Sequence, residues 1–250
     1  MPSVLSVAEM TKAILLDIEG TTTPIDFVHR TLFPFAKRKI AKFVEIHFRE
    51  LFDEIKALVD ENSRDSTYTL PVDPAEPGSV TAYLEHLIDL DRKSTPLKTI
   101  QGMIWKEGYE SGELCSIVFD DVPAAFERWT NKGLSIAIYS SGSILAQQLL
   151  FRHTGHGDLT PFISNYFDTT TGGKREALSY AKIADALCVD PSCITFISDT
   201  SEELAAARDS GLSTLLAVRP GNARQEDTTE FQAITSFDQF DHDASECGSG

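Results

Sequence analysis

Ala13-Ile-Leu-Leu-Asp17-Ile-Glu19-Gly20-Thr-Thr-Thr23-Pro24 runs from a short apolar stretch into two carboxylates, a glycine and a hydroxyl cluster. The apolar part has the length and composition of a strand buried on both faces. The polar part reads as an acidic, anion-handling loop at the strand's carboxyl end. In a parallel α/β sheet, ligands gather beyond the carboxyl ends of the strands, so Asp17 and Glu19 are the first candidates for a reactive centre.

Three further runs share this pattern: Ser135-Ile-Ala-Ile-Tyr139, Ile194-Thr-Phe-Ile-Ser198 and Ser213-Thr-Leu-Leu-Ala-Val218. Helical stretches separate them. Residues 122–132 keep Ala125, Phe126 and Trp129 on one side and end at Gly133, a suitable C-terminal cap. Residues 175–187 place Leu178, Ala181, Ala184 and Leu187 at three-residue steps, and residues 202–210 end at Gly211. Strand and helix in alternation predict a doubly wound, Rossmann-like α/β sheet.

Residues 26–116 break the alternation. They read as helices, among them 32–52 and 79–91, with a polar loop over 62–77. The expected organisation is a catalytic core from residues 1–25 and 117–240, an inserted helical cap over 26–116 that excludes water from the strand tips, and a disordered acidic tail over 241–250.

The composition bounds the function. At 250 residues and 42% hydrophobic the chain buries a substantial core. Its 22 basic and 38 acidic residues give a net charge of -16, which repels nucleic acid and anionic membranes. Cys115, Cys188, Cys193 and Cys247 lack metal-finger or CxxC spacing and read as thiols of a reducing compartment. No secretory leader and no membrane-spanning run is legible. A cytoplasmic protein is expected, with nuclear entry open to a chain this small but no basic import cluster visible.

Four signals recur at successive strand ends. Asp17 and Glu19 follow the first run, and Ser140-Ser141-Gly142 follows the second, ahead of a helix over 143–150 whose N–H groups suit phosphate oxygens. Lys174 precedes the third helix and supplies one positive charge. Ser198-Asp199 ends the next strand, with Glu203 four residues on. Two carboxylates about 4 Å apart repel by about 4 kcal/mol at an effective dielectric of about 20. Gathering Asp17, Glu19 and Asp199 therefore calls for a cation, and an all-oxygen donor set suits Mg²⁺. Asp17 then acts as nucleophile on phosphorus, with Mg²⁺ and Lys174 neutralising the phosphoryl oxygens.

Other candidates fare worse. Gly172-Gly-Lys174 fails the phosphate-loop pattern, since Asp168 stands where a glycine is needed and Arg175 follows the lysine. His153 and His156, three apart beside Gly155 and Gly157, could suggest a metal pair but read as a polar loop. Trp105 and Trp129 fall on helices and read as core, and Arg219 to Asn222 is a turn whose reach toward the pocket is left open.

With these four motifs the chain resembles the haloacid dehalogenase-like phosphohydrolases. Asp-Ile-Glu-Gly-Thr-Thr in place of the usual Asp-x-Asp, with Ile138-Tyr-Ser-Ser-Gly-Ser143 and Val218-Arg-Pro-Gly-Asn222, is similar to the enolase-phosphatase (acireductone synthase) branch. Gln101-Gly-Met-Ile-Trp105 and Gly108-Tyr-Glu-Ser-Gly112 fit it too, and the resemblance spans residues 12–240. It implies a monomeric, Mg²⁺-dependent enzyme of methionine salvage that enolises 5-(methylthio)-2,3-dioxopentyl phosphate and then removes phosphate. It further implies that Asp17, Glu19 and Asp199 hold the metal and that Ser140, Ser141 and Lys174 bind substrate.

Glu at position 19 reaches one methylene further than Asp, which suits a proton shuttle whose main-chain carbonyl or carboxylate faces the metal. Two other functions compete. A general sugar-phosphate phosphatase needs a polar cap pocket, whereas residues 101–109 are rich in aromatic and apolar groups. A non-catalytic phosphate-sensing module would not need nucleophile, lysine and metal acid together.

Overall fold

The computed structural model describes residues 11–222 and 230–240. The tail expected over 241–250, with His242 and Cys247, lies outside them. Strand β1 (Ala13–Leu16) has all four side chains fully buried. It pairs in parallel with β2 (Ser135–Tyr139) on one side and with β4 (Ile194–Ser198) on the other, β3 being Ile163–Phe167. With β5 (Ser213–Ala217) and β6 (Ala233–Ile234) the sheet has six strands in the order β3-β2-β1-β4-β5-β6, every pair parallel. The chain winds outward from β1 through β2 to β3, crosses back to β4 and winds out the other way. The carboxyl ends of β1 and β4 thus flank the topological switch point, where a crevice opens.

The apolar-run criterion passes over β3. Only its end residues, Ile163 and Phe167, are buried, while Ser164, Asn165 and Tyr166 are partly or fully exposed. An edge strand is shielded on one flank only, so its sequence does not read as a continuous apolar run.

Asp26–Cys115 forms one compact unit, and the segments flanking it form the other. Within the helical unit a π-helical turn, Val28–Leu32, leads into α1 (Phe33–His47), followed by α2 (Phe52–Asn62), α3 (Pro77–Asp89) and α4 (Thr95–Glu110). The single helix expected over 32–52 is broken. The His47 carbonyl accepts from the N–H groups of Glu50 and Leu51, and the turn carries Leu51 into the interior. Gly108 lets α4 approach α1, since a β-carbon there would lie 2.6 Å from the Phe35 ring. Trp105 is buried, as a core residue should be, and its indole N–H donates to the Leu32 carbonyl at 2.9 Å.

In the sheet-bearing unit α5 (Asp121–Asn131) buries Val122, Ala125, Phe126 and Trp129, the spacing of one helical face. Trp129 packs on Phe126, Phe237 and Phe240. Then come α6 (Ile144–Arg152), α7 (Ala177–Leu187) and α8 (Ser201–Asp209). On α7 the expected stripe is rotated. Leu178 is 66% exposed, and the buried face is Ser179, Tyr180, Ile183 and Ala184. Among the described residues no helix is long and apolar enough to cross a membrane.

Candidate active site

Asp17 is the first residue past β1, and its N–H donates to the Ile197 carbonyl of β4 at 3.0 Å, so the ladder itself sets its position. Its side chain is 7% exposed, and Oδ1 accepts from the Ile18 N–H at 2.7 Å. Lys174 Nζ reaches the same oxygen at 2.7 Å and Glu203 Oε2 at 2.6 Å. The Ser198 hydroxyl lies 3.1 Å from Asp17 Oδ2 and 3.2 Å from Glu203 Oε2, offering one proton to two carboxylates, and accepts from the Thr200 N–H.

Asp199 completes the cluster. Burial and the neighbouring Asp17 charge push its carboxyl up to about 6, with Glu19 adding in the same direction and Thr200 and Lys174 opposing. Glu203 is pushed up by burial and again by Asp17. Burial alone would pull the Lys174 ammonium down, but the charges of Asp17 and Glu203 outweigh it and hold it above the usual lysine range. Lys174 thus pairs with Asp17 and Glu203 and acts electrostatically on Asp199, which Glu19 also influences.

The loop after β1 is closed by its own main chain. The Ile18 carbonyl accepts from the N–H groups of Thr21, Thr22 and Thr23, and Gly20 N–H donates to Thr23 O at 2.8 Å. The three threonines are fully buried, and the Thr22 hydroxyl bonds the carbonyls of Asp17 and Ile18. The hydroxyl cluster read as anion-handling is turned inward and builds the loop. Gly20 has φ +68°, and a β-carbon there would overlap the Asp199 carboxylate.

Beyond β5 the Arg219–Asn222 turn braces the same loop. Asn222 Nδ2 donates to Gly20 O at 2.9 Å, and Arg219 Nε donates to Thr21 O at 3.0 Å. Arg219 is 6% exposed, pairs with Asp121 at 2.8 Å and lies against the Phe119 and Phe237 rings. Its destination is the back of the acidic loop.

Ser140 follows β2 and is buried, its Oγ accepting from Gly142 N–H at 3.2 Å, while Ser141 is half-buried. The cap of α6 is Ser143, whose side chain accepts from Ala146 N–H. Gln147 ties this loop down by donating to Gly142 O and Phe167 O, each at 2.9 Å. Tyr139, next to Ser140, has its ring 5.9 Å from Lys174 Nζ, which brings the second and third signals side by side. His153 and His156 lie away from these acids, in a turn beside Ser116 and Asp120. Among the described residues no three His, Cys, Asp or Glu side chains group to hold a metal by themselves. Ser198, Glu203, Arg219 and Asn222 stood within the sequence motifs, but their supporting roles around Asp17 and the loop after β1 were not legible there.

Residues 11–211 match the family model of the haloacid dehalogenase-like hydrolases. Enolase-phosphatase E1 of Drosophila persimilis is 49% identical over 238 residues, covering 92% of this chain and 93% of the relative. Its counterpart in Synechococcus elongatus is 48% identical over 231 residues, covering 91% and 96%. The crystal structure of the UTR4 protein of Saccharomyces cerevisiae is similar with a TM-score of 0.71 at 34% identity, covering 91% of this chain and 99% of that one. The chain is a phosphohydrolase that belongs to the haloacid dehalogenase-like hydrolases and, within them, to the enolase-phosphatase E1 family.

Proposed function

We propose that this chain converts 5-(methylthio)-2,3-dioxopentyl phosphate into 1,2-dihydroxy-5-(methylthio)pent-1-en-3-one and phosphate, in methionine salvage. The observation that carries the reading is the buried Asp17, gripped by Lys174 and facing Asp199, at the switch point of the sheet. The excess of acids over cations there fits a hard divalent ion, and all the available donors are oxygens. Asp17 and Asp199 would hold Mg²⁺ through their carboxylates and Glu19 through its main-chain carbonyl or carboxylate. When bound, Mg²⁺ supplies charge neutralisation to an ester that a carboxylate must approach.

In the first step a proton leaves C1 of the diketone and one is gained at the C2 oxygen, giving the enol phosphate. Glu19 is half-buried and close enough to act on Asp199 electrostatically, and we assign it the proton shuttle. In the second step an Asp17 oxygen attacks phosphorus, the bond between phosphorus and the C1 oxygen breaks, and the departing oxygen takes up a proton from the Glu19 shuttle to give the enediol. Water then releases phosphate from the aspartyl phosphate. Lys174 and the hydroxyls of Ser140 and Ser141 bind the phosphoryl oxygens as negative charge shifts among them. We assign the helical unit the role of cap and the reaction to a monomer in the cytoplasm.

Incubation with the diketone phosphate and Mg²⁺, following the enediol absorbance and inorganic phosphate separately, tests this. Both products should appear in equal amounts. Phosphate without the enediol would instead identify a general small-molecule phosphatase, the reading that the shared Asp17, Lys174 and Asp199 geometry supports next.

A further inference from the structure

The segment that delivers Lys174 is held by side chains. Four successive carbonyls each accept from one: Thr171 from Lys182 Nζ at 3.1 Å, Gly172 from the Tyr139 hydroxyl at 2.9 Å, Gly173 from the Ser179 hydroxyl at 2.8 Å and Lys174 from the Tyr180 hydroxyl at 2.6 Å. The Lys182 bond is at the surface. Tyr139, Ser179 and Tyr180 are each 1% exposed or less. Loop carbonyls commonly face solvent, so three buried hydroxyls spent on three consecutive carbonyls mark a segment whose position is fixed.

The donors are themselves tightly packed. The Tyr139 and Tyr180 rings meet edge to face with centroids 5.6 Å apart, and Tyr180 rests on Phe196 at 5.1 Å. Gly172 has φ +154°, and a β-carbon there would overlap the Ser179 hydroxyl, so the Ser179 bond needs glycine at that place. Tyr139 is also the last residue of β2, immediately before Ser140. One strand end therefore fixes both the lysine loop and the serine loop.

We propose that Tyr139, Ser179 and Tyr180 are positioning residues, which aim the Lys174 ammonium at the phosphoryl group by locking the three carbonyls at the root of its side chain. This rests on the proposed assignment of Lys174 to the phosphate. A lysine is a point charge on a flexible four-carbon stem. Asp17 and Glu203 hold its tip, but Asp17 is also the proposed nucleophile and its grip changes when it attacks, so the root has to be fixed independently. A displacement of about 1 Å in such a group can cost about 100-fold in rate.

Tyr139→Phe and Tyr180→Phe remove the hydroxyls and keep the rings. In the full chain with Mg²⁺, the double variant should bind inorganic phosphate about tenfold more weakly by calorimetry and show a raised KM for the ester. Built on Lys174→Met, the same pair should change phosphate affinity no further. Ser179→Ala, which leaves both rings in place, should weaken phosphate binding in the same Lys174-dependent way. Phosphate affinity within about twofold of the parent, or an equal loss in both backgrounds, would show the hydroxyls serving only the fold and overturn the proposal. Should Lys174→Met itself bind phosphate as the parent does, the assignment of Lys174 falls and takes the clamp with it.

Discussion

Gly20 shows how much of this site is decided by single residues. Its positive φ and the Asp199 carboxylate packed on its α-carbon leave no space for a methyl group. Gly20→Ala must displace the Asp199 carboxylate or distort the loop that Asn222 and Arg219 brace from behind. We expect turnover to fall by at least about 100-fold, with Mg²⁺ affinity measured by calorimetry falling in parallel. Unchanged Mg²⁺ affinity would mean that Asp199 is not held for a cation. Glu19→Gln is the complementary test, because it keeps the main chain and the length of the side chain while removing the proton acceptor. Enediol formation should be lost with Mg²⁺ affinity nearly intact, and loss of Mg²⁺ binding in this variant would contradict the shuttle. The reactive residues were legible because a carboxylate after an apolar run is conspicuous. Arg219 was not, since nothing in Arg-Pro-Gly-Asn tells that a guanidinium will turn inward between two aromatic rings.

At the scale of elements, the doubly buried strands β1, β2, β4 and β5 declared themselves, and so did most helices, because long apolar patterns are set by burial on whole faces. What escaped depended on partners far along the chain. Edge strand β3 has a polar middle, α7 turns a different face inward than its three-residue steps suggested, and the α1 to α2 break follows from tertiary contacts. His47 is one of these. Its ring nitrogens lie 2.9 Å from Glu50, in the turn, and 2.9 Å from Glu107, on α4. The hydrogen bond to Glu50 and the charge of Glu107 raise its basicity above the ordinary 6.5, against an opposing pull from burial. A raised histidine stabilises the fold fully below its unfolded value, and that contribution fades as pH rises through the folded value. Both acids are largely exposed, so the contribution is about 0.5 kcal/mol after solvent screening. The melting midpoint of the parent should therefore drop slightly more than that of His47→Gln as pH climbs from about 6 to about 8. Parallel pH profiles for the two would show that His47 is not charged between these acids.

For the molecule as a whole, the site works against the stability of the fold that carries it. A chain of net charge -16 gathers Asp17, Glu203 and Asp199 around one lysine at the switch point of its sheet, under partial burial. The opposition is visible in Asp199, whose carboxyl is pushed up by burial and by Asp17. Like charges held together for function lower stability until a counter-ion binds, and removing one of them commonly returns about 1 kcal/mol. For a chain of this size about 1 kcal/mol corresponds to about 2–4 °C in melting midpoint. Asp199→Asn in metal-free buffer should thus melt at or above the parent, since the amide keeps an oxygen to accept from the Thr200 hydroxyl. Adding Mg²⁺ should reverse the order, because an ion that binds only the folded state stabilises by mass action and the variant lacks one of its carboxylates. The two effects have opposite signs in one variant, which separates them from general damage. A variant that melts below the parent without metal, and is raised by Mg²⁺ as much as the parent, would show that Asp199 is a structural acid and that the cation lies elsewhere.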